Sequence, residues 1–549
     1  MRDMQITQMT GGDALADSLR RHQIDTVFGL PGAQLYGLFD ALHRTNIRVI
    51  GARHEQGSGY MAFGYARATG RPAVYSVVPG PGVLNAGAAA LTSLGCNAPV
   101  LCLTGQTPTS FLGQGHGHLH EMPDQLGTLR SIFKWGQRIE HPSTAPELVA
   151  QAFQQMLAGR MGPAALEMPW DMFVKPTAVR SCDPFPALPP PPVDVDAIEK
   201  AAKLIQESRN PMIFVGGGAF GACEEIRELA ERIQAPVVAH RSGRGVVSNA
   251  HPLGLTLASA YKLWPETDLV IGIGSRMEVP RWRWAWRPDG LKTLRIDIDP
   301  AEMRRARPEV GVVADAKEAT IELLRALTRL EYRREDRMSR IQAATEKALA
   351  EIQEIQPQMA YLDVLRDVLP ANAIVTDELS QVGFTSWFGF PIYEPRTFIS
   401  SGYQGNLGSG YPTALGVKIA HPDRPVVAIC GDGGFMFGVQ ELATAVQYGI
   451  DVIALVFNNS AYGNVRRDQI EGFAGRTIGS DLTNPDFAKL AHAFGANGEQ
   501  VATPEAFRSA MKKALDSGGP WVIEIKVPRD SEVSPWRFLA PPPPPGAMQ

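Results

Sequence analysis

"GDGGFMFGVQELATAVQYGIDVIALVFNNSAYG" (431–463), preceded by "RPVVAIC" (424–430), decides how this chain folds. The runs "RPVVAIC" and "DVIALVF" (451–457) are apolar, rich in β-branched residues and too short for helices, and a helical pattern separates them. That spacing predicts two parallel strands of a βαβ unit. Parallel strands bring their carboxyl ends to one edge, where ligands collect in open α/β sheets. The edge receives a carboxylate from Asp432, an amide oxygen from Asn459 and bare backbone N–H groups from Gly431, Gly433 and Gly434. Hard oxygen donors, few and partly neutral, suit a divalent cation such as Mg2+ that keeps phosphate oxygens and water in its shell. The helix that follows adds an N-terminus, which favours anions. Asn458 and Asn459 therefore read as half of a metal–diphosphate clamp, or as simple turn formers, since asparagine is a turn residue in its own right.

The same alternation of apolar strands and amphipathic helices fills the chain, whose 549 residues suggest about three domains. Two seams divide it. The proline-dense "SCDPFPALPPPPVD" (181–194) is an extended linker, and the charged run "YRREDRMSRIQAATEKALAEIQEIQ", read as a mostly solvated helix, stops at Pro357. The expected fold is α/β, with three doubly wound parallel-sheet domains at 1–180, 195–350 and 357–530. A proline-rich tail follows at 531–549, whose end "FLAPPPPPGAMQ" is low in complexity and reads as disordered or surface-hugging.

The 53 basic and 57 acidic residues leave a formal net charge of −4, which calls for neither nucleic acid nor a membrane surface. Cys96, Cys102, Cys182, Cys223 and Cys430 lack metal-type spacing and read as free thiols of a reducing compartment. The N-terminus lacks the apolar core of a signal peptide, and no run approaches a membrane span. A cytoplasmic enzyme is expected.

Further motifs lie at strand ends. In "RVIGARHEQGSGYMAFGYARATG" (48–70), Glu55 follows a strand and opens a Gly/Ala-rich helix, as a helix-terminal charge or as a carboxylate held for chemistry. In "YSVVPGPGVLNAGAAALTS" (75–93), Pro79, Gly80 and Gly82 form a turn open to a flat ligand and Asn85 begins another helix. With "TGQ" (104–106) and an Asp432-to-Asn459 spacing of 27 positions, these motifs resemble the thiamine-diphosphate-dependent decarboxylases and carboligases, the superfamily of acetolactate synthase, pyruvate decarboxylase and benzaldehyde lyase. The resemblance covers nearly the whole chain and names the three domains pyrimidine-binding, central and diphosphate-binding.

The resemblance implies that Asp432, Asn459 and the Ala461 carbonyl hold Mg2+ against the diphosphate of thiamine diphosphate. Gly431, Gly433, Gly434, Ser380 and Gln381 would line the phosphate pocket, and Pro79 and Asn85 would belong to the cofactor site. Glu55 would hydrogen-bond the aminopyrimidine and drive the proton transfer that activates the cofactor, a task suited to a buried carboxylate. In "SGYQGNLGSGYPTALG" (401–416), Leu407 would wedge the two rings apart and the Gly405 carbonyl would accept from the amino group, though Leu407 also reads as an ordinary core leucine. The superfamily implies a homodimer or homotetramer.

The substrate depends on the few side chains that face the cofactor. Those expected are Gln34 and the loop "SFLGQGHGHLHEMPDQLG" (110–127) with His116, His118 and His120. Of these, His120 reads as a general acid–base, since imidazole titrates near neutrality. His120 stands where acetolactate synthases have glutamine, and "NNSAYGNVRRDQ" lacks their acceptor-selecting tryptophan. The expected reaction is decarboxylation of a 2-oxoacid and carboligation to a second carbonyl, with an aldehyde as the other substrate class. The alternative is cleavage of 2-hydroxy carbonyl compounds, as in benzaldehyde lyase or a 2-hydroxyacyl-CoA lyase; a non-enzymatic homologue would have lost Glu55 or the metal ligands. In the central domain "FVGGGAFG" (214–221) is a dinucleotide-like glycine turn. It leaves FAD binding open, while the missing aspartate pair in "GSRMEVPRWRWAW" (274–286) argues against it. Arg281, Trp282, Arg283, Trp284 and Trp286 read as an oligomer interface or an adenine-nucleotide clamp.

Overall fold

A computed structural model describes residues 6–332, 334 and 336–543. Three six-stranded sheets, parallel throughout, form the chain. From edge to edge the first runs Arg48–Gly51, Thr26–Gly29, Ala73–Val77, Val100–Gln106, Ala164–Pro169, Trp135–Arg138. The second runs Gly254–Leu255, Val237–Ala239, Pro211–Val215, Leu269–Ile273, Lys292–Asp297, Val310–Val313. The third runs Phe398–Ile399, Ile374–Asp377, Val426–Gly431, Ile453–Asn458, Trp521–Lys526, Asn497–Val501. Helices cover both faces of each sheet, so central strands are buried on both sides and read as continuous apolar runs. The three-domain α/β reading holds.

In all three sheets the strand order reverses beside the first strand of the domain, and the crevice at such a switch point is where ligands bind. In the first sheet the reversal lies between Thr26–Gly29 and Ala73–Val77, whose carboxyl ends lead to Gln34 and Pro79. In the third it lies between Ile374–Asp377 and Val426–Gly431, which lead to Ser380 and Asp432.

The first and third domains are joined by two buried helices, Glu55–Thr69 and Gly410–Ala420. A Cβ on Gly64 would lie 2.1 Å from the Thr413 carbonyl, and one on Gly416 would lie 1.9 Å from that of Met61. Glycine at the crossing is what lets the backbones meet.

Four features add to or differ from expectation. Ile6–Met9 pairs antiparallel with Thr177–Arg180, a small ribbon too polar on its outer face to stand out in the sequence. The charged run forms a helix, Met338–Ile352, mostly solvated as expected but docked on Leu257–Leu263 through buried Ile341, Ala348 and Ile352. At the start of the tail's end Phe538 and Leu539 are buried, while 544–549 lie outside the described residues. The tryptophan cluster is split: Trp284 is core, packed edge-on to Trp264, Phe214 and Tyr261, whereas Trp282 is exposed. Cys96, Cys102 and Cys430 are buried free thiols, and Cys182 and Cys223 are half-buried.

Candidate active site

The third-domain part is built at the carboxyl ends of Val426–Gly431 and Ile453–Asn458. Asp432 opens a single helical turn and is 2% exposed. Burial raises its pKa, against the pull of the Gly433, Ser460 and Ala461 N–H groups and the Asn484 amide. Asn484 Nδ2 donates to Asp432 Oδ2 at 2.7 Å and to Asn458 Oδ1 at 3.0 Å, and Asn458 Nδ2 donates to Glu524 Oε1 at 2.7 Å. Asn459 Nδ2 donates to Glu532 Oε2 at 2.6 Å, while its Oδ1 accepts from Ala461 N at 3.0 Å. Ser460 between them sits at φ +57°, in the left-handed region, which turns the chain sharply after the strand. The asparagine pair is thus more than a turn: one side chain supports Asp432 through Asn484, and the other is free of the sheet.

The glycines of this turn have no room for side chains. A Cβ on Gly433 would lie 2.4 Å from the Tyr462 ring, and one on Gly434 would lie 2.4 Å from Glu378 Oε2. Ser380 caps the helix Gln381–Gly389, and Gln381 Oε1 accepts from Arg467 Nη1 at 3.2 Å. Glu378 is buried beneath both turns; it accepts from the Gly408 N–H, its Oε2 has no partner, and burial pushes its pKa up to about 8. Gly405, at φ +59°, and half-buried Leu407 lie on the segment leading into Gly410–Ala420.

In the first domain, Glu55 opens its helix and accepts from Asn85 Nδ2 at 3.0 Å. It is half-buried in the single chain, less than the buried carboxylate expected, because its helix N-terminus lies at the domain edge. The turn before it is held by the third domain: buried Glu441 accepts from His54 N at 3.0 Å and Arg53 N at 3.1 Å. Gln34 is fully buried, and its Nε2 donates to the Leu119 carbonyl at 3.1 Å while its Oε1 lies 3.1 Å from His120 Nδ1. His120 is left-handed at φ +63°. Pro79 Cδ would lie 3.2 Å from a Cβ on Gly105, so the three strand-end turns close on one another. Beneath them Gln125 bridges Gly80 N, the Gly105 carbonyl and Glu167, and Arg138 pairs with Glu167 at 2.6 Å.

The histidine loop is organised by ring packing and backbone hydrogen bonds. His118 packs on Phe111 with ring centroids 4.8 Å apart, and His116 meets the same ring edge-on. Glu121 accepts from Gly115 N and His118 N, and the latter bond chiefly holds its pKa down. Among the described residues no three His, Cys, Asp or Glu side chains group as metal ligands. A cation beside Asp432 would find amide and carbonyl oxygens at the Asn459–Ala461 turn, hard donors that fit Mg2+.

Three family profiles match the chain: the thiamine pyrophosphate enzyme N-terminal TPP binding domain over 9–128, the central domain over 198–327 and the C-terminal TPP binding domain over 380–525. The chain belongs to the thiamine pyrophosphate enzymes. A probable 2-ketoarginine decarboxylase of Pseudomonas aeruginosa is 32% identical over 532 residues, covering 94% of each chain. A probable acetolactate synthase large subunit of Methanocaldococcus jannaschii is 32% identical over 548 residues, covering 94% of this chain and 92% of that one. An acetolactate synthase of Arthrospira platensis is 33% identical over 573 residues, covering 96% of each. This thiamine-diphosphate-dependent enzyme is thus acetolactate synthase-like at the family level, of the kind that decarboxylates or carboligates.

The fold of this thiamine pyrophosphate enzyme brings Gln34 to His120, Glu55 to Asn85, and Asp432 to the Asn459–Ala461 turn. No hydrogen bond among the described residues links the Glu55 pair to the Asp432 cluster. Sequence reasoning did not assign Asn484, Glu524, Glu532, Glu167, Gln125, Glu441 or a role for Glu378. Glu524 and Glu167 did carry a signal, each a lone carboxylate inside a buried strand, since such a charge must have partners. Glu441 and Glu532 carried none, because their contacts join segments far apart in the chain.

Between the central domain and its neighbours lies a cavity of about 490 Å³, lined by Gly216, Gly217, Gly218, Arg241, Arg276 and Arg396 among others. Gly216 is required there for packing, since its Cβ would lie 2.3 Å from the Gly274 carbonyl. No helix among the described residues is long and apolar enough to cross a membrane.

Proposed function

We propose that this enzyme decarboxylates a 2-oxoacid and joins the remaining fragment to a second carbonyl compound, such as another 2-oxoacid or an aldehyde. The observation that carries the reading is the Gln34–His120 pair at the first-domain switch point. Gln34 donates through Nε2 to Leu119, so its oxygen faces His120 and specifies a proton on Nδ1. That leaves His120 Nε2 to take or give a proton at a substrate oxygen. Bound thiamine diphosphate supplies the carbon nucleophile. Glu55 holds the proton that its pyrimidine ring exchanges, and Asn85 orients Glu55. Asp432, Asn459 and the Ala461 carbonyl would hold Mg2+ against the diphosphate, and Gly431, Gly433, Gly434, Ser380 and Gln381 would line the phosphate pocket. Leu407 and the Gly405 carbonyl would support the cofactor's rings, and Pro79 would line the pyrimidine site.

The active unit is a homodimer or homotetramer: the two clusters are unlinked within one chain, and Leu84, Phe437, Phe473 and Ile478 expose apolar surface near them. Five unpaired cysteines support a cytoplasmic setting. The arginine-lined cavity supports a phosphate-bearing ligand such as FAD or CoA, and with CoA it favours a second reading, cleavage of 2-hydroxyacyl-CoA.

Product analysis with purified holoenzyme tests both readings, using pyruvate, 2-ketoarginine, benzoylformate, benzaldehyde and formyl-CoA. Release of CO2 with formation of a hydroxy ketone or hydroxy acid is expected. Turnover confined to 2-hydroxyacyl-CoA or hydroxy ketone cleavage would select the second reading, and no turnover of any substrate would overturn both.

A further inference from the structure

Asn459 is held by a residue from the far end of the chain. After the strand Trp521–Lys526 the backbone turns at Asp530, φ +61°, and returns toward the end of Ile453–Asn458. The turn is pinned on both sides of Glu532. Arg529 Nη2 donates to the Ser460 carbonyl at 2.8 Å, Val533 N donates to the Gln356 carbonyl at 3.0 Å, and Gln358 Nε2 donates to the Val533 carbonyl at 2.7 Å. Between these anchors Glu532 Oε2 accepts from Asn459 Nδ2 at 2.6 Å.

Glu532 Oε2 meets the NH2 end of the Asn459 amide, whose N–H donates to it. The Ala461 N–H, a donor that can face only the amide oxygen, meets Oδ1 from the other end and fixes that orientation. Asn459 therefore has one orientation, with its oxygen turned away from the C-terminal segment. We propose that Glu532 is a positioning residue of the cation site, fixing the amide oxygen of Asn459 so that it, rather than the NH2 group, meets Mg2+. This rests on the reading of Asp432, Asn459 and the Ala461 carbonyl as cation ligands. It makes the C-terminal segment part of the site, although no ligand comes from it. The Asn458 amide is held in the same way by Glu524, but that contact supports Asp432 indirectly, through Asn484.

The test measures Mn2+ binding, by the electron paramagnetic resonance signal of free Mn2+, in the full-length protein with saturating thiamine diphosphate. Partners that orient metal ligands are typically worth about 10–100-fold in affinity. Glu532→Leu should weaken Mn2+ by that factor with the melting temperature of the cofactor-free protein unchanged, and Glu532→Gln, which still offers an acceptor oxygen, should restore most of it. Should the leucine variant fail to fold, Glu532→Asp, one methylene too short to reach Asn459, should weaken Mn2+ binding by a smaller factor. Wild-type affinity in a folded Leu or Asp variant would overturn the proposal. Asp432→Ala separates the two readings: if it abolishes Mn2+ binding while folded Glu532→Leu binds Mn2+ with wild-type affinity, only the role of Glu532 falls. If Asp432→Ala binds Mn2+ normally, the cation site is misplaced and both fall.

Discussion

At the scale of single residues, the candidate site consists of short polar side chains whose orientation is dictated by their neighbours. Glu55 has one side-chain partner, Asn85, and a backbone turn braced by Glu441 from another domain. An amide at position 55 keeps the shape but cannot take up and release a proton. Glu55→Gln should therefore bind thiamine diphosphate near normally while exchanging the cofactor's acidic carbon-bound proton about 10²–10⁴-fold more slowly, as read by deuterium exchange of the bound cofactor. His120→Gln should leave that exchange rate intact and lower turnover on the order of 10²-fold. Gln34→Leu should lower it too, since the imidazole of His120 would lose the oxygen that fixes its tautomer. Steady-state kinetics beside the exchange assay separates these outcomes. The sequence placed Gln34 and His120 in separate motifs; their 3.1 Å contact depends on two loops that only the fold brings together.

At the scale of elements, the crossing of Glu55–Thr69 with Gly410–Ala420 sets how the first and third domains meet. The glycines at this crossing face backbone carbonyls, which cannot move aside as a side chain can. Gly416→Ala should cost about 1–3 kcal/mol through overpacking and lower the melting temperature in differential scanning calorimetry. Gly472→Ala, with nothing within 4 Å of the new methyl group, should not. The Gly/Ala-rich composition announced a tightly packed helix but not its partner, because glycine content reports that something comes close without reporting what. The same limit applies to the charged run before Pro357. Its periodicity gave a helix, and the three apolar residues that dock it became meaningful only with Leu257–Leu263 as a surface.

At the scale of the whole molecule, burial of carboxylates between domains and turns leaves a mark on stability. Glu378 titrates at about 8 when folded, against an ordinary value of 4.5, so the folded state holds a proton that the unfolded state has released. Stability must then fall as pH rises through that interval. Below about 6.5 the half-buried His240 and His22, both pushed down to about 4 by desolvation, act in the opposite sense, since the unfolded chain takes up protons there. Between pH 6.5 and 8 the melting temperature of the cofactor-free protein should decline, and Glu378→Gln should flatten that decline. An unchanged slope in calorimetric scans would mean that Glu378 is ionised in the fold. The sequence by itself determined the three parallel sheets, their order along the chain and the strand-end motifs of the site. Apolar runs of strand length, helical spacing and glycine turns are local properties that survive without knowledge of contacts. Only the tertiary structure decided which carboxylates orient those motifs. Glu441, Glu524 and Glu532 act across sequence distances of 387, 66 and 73 residues, and a hydrogen bond forms wherever the packed backbone brings donor and acceptor together, however far apart they lie in the chain.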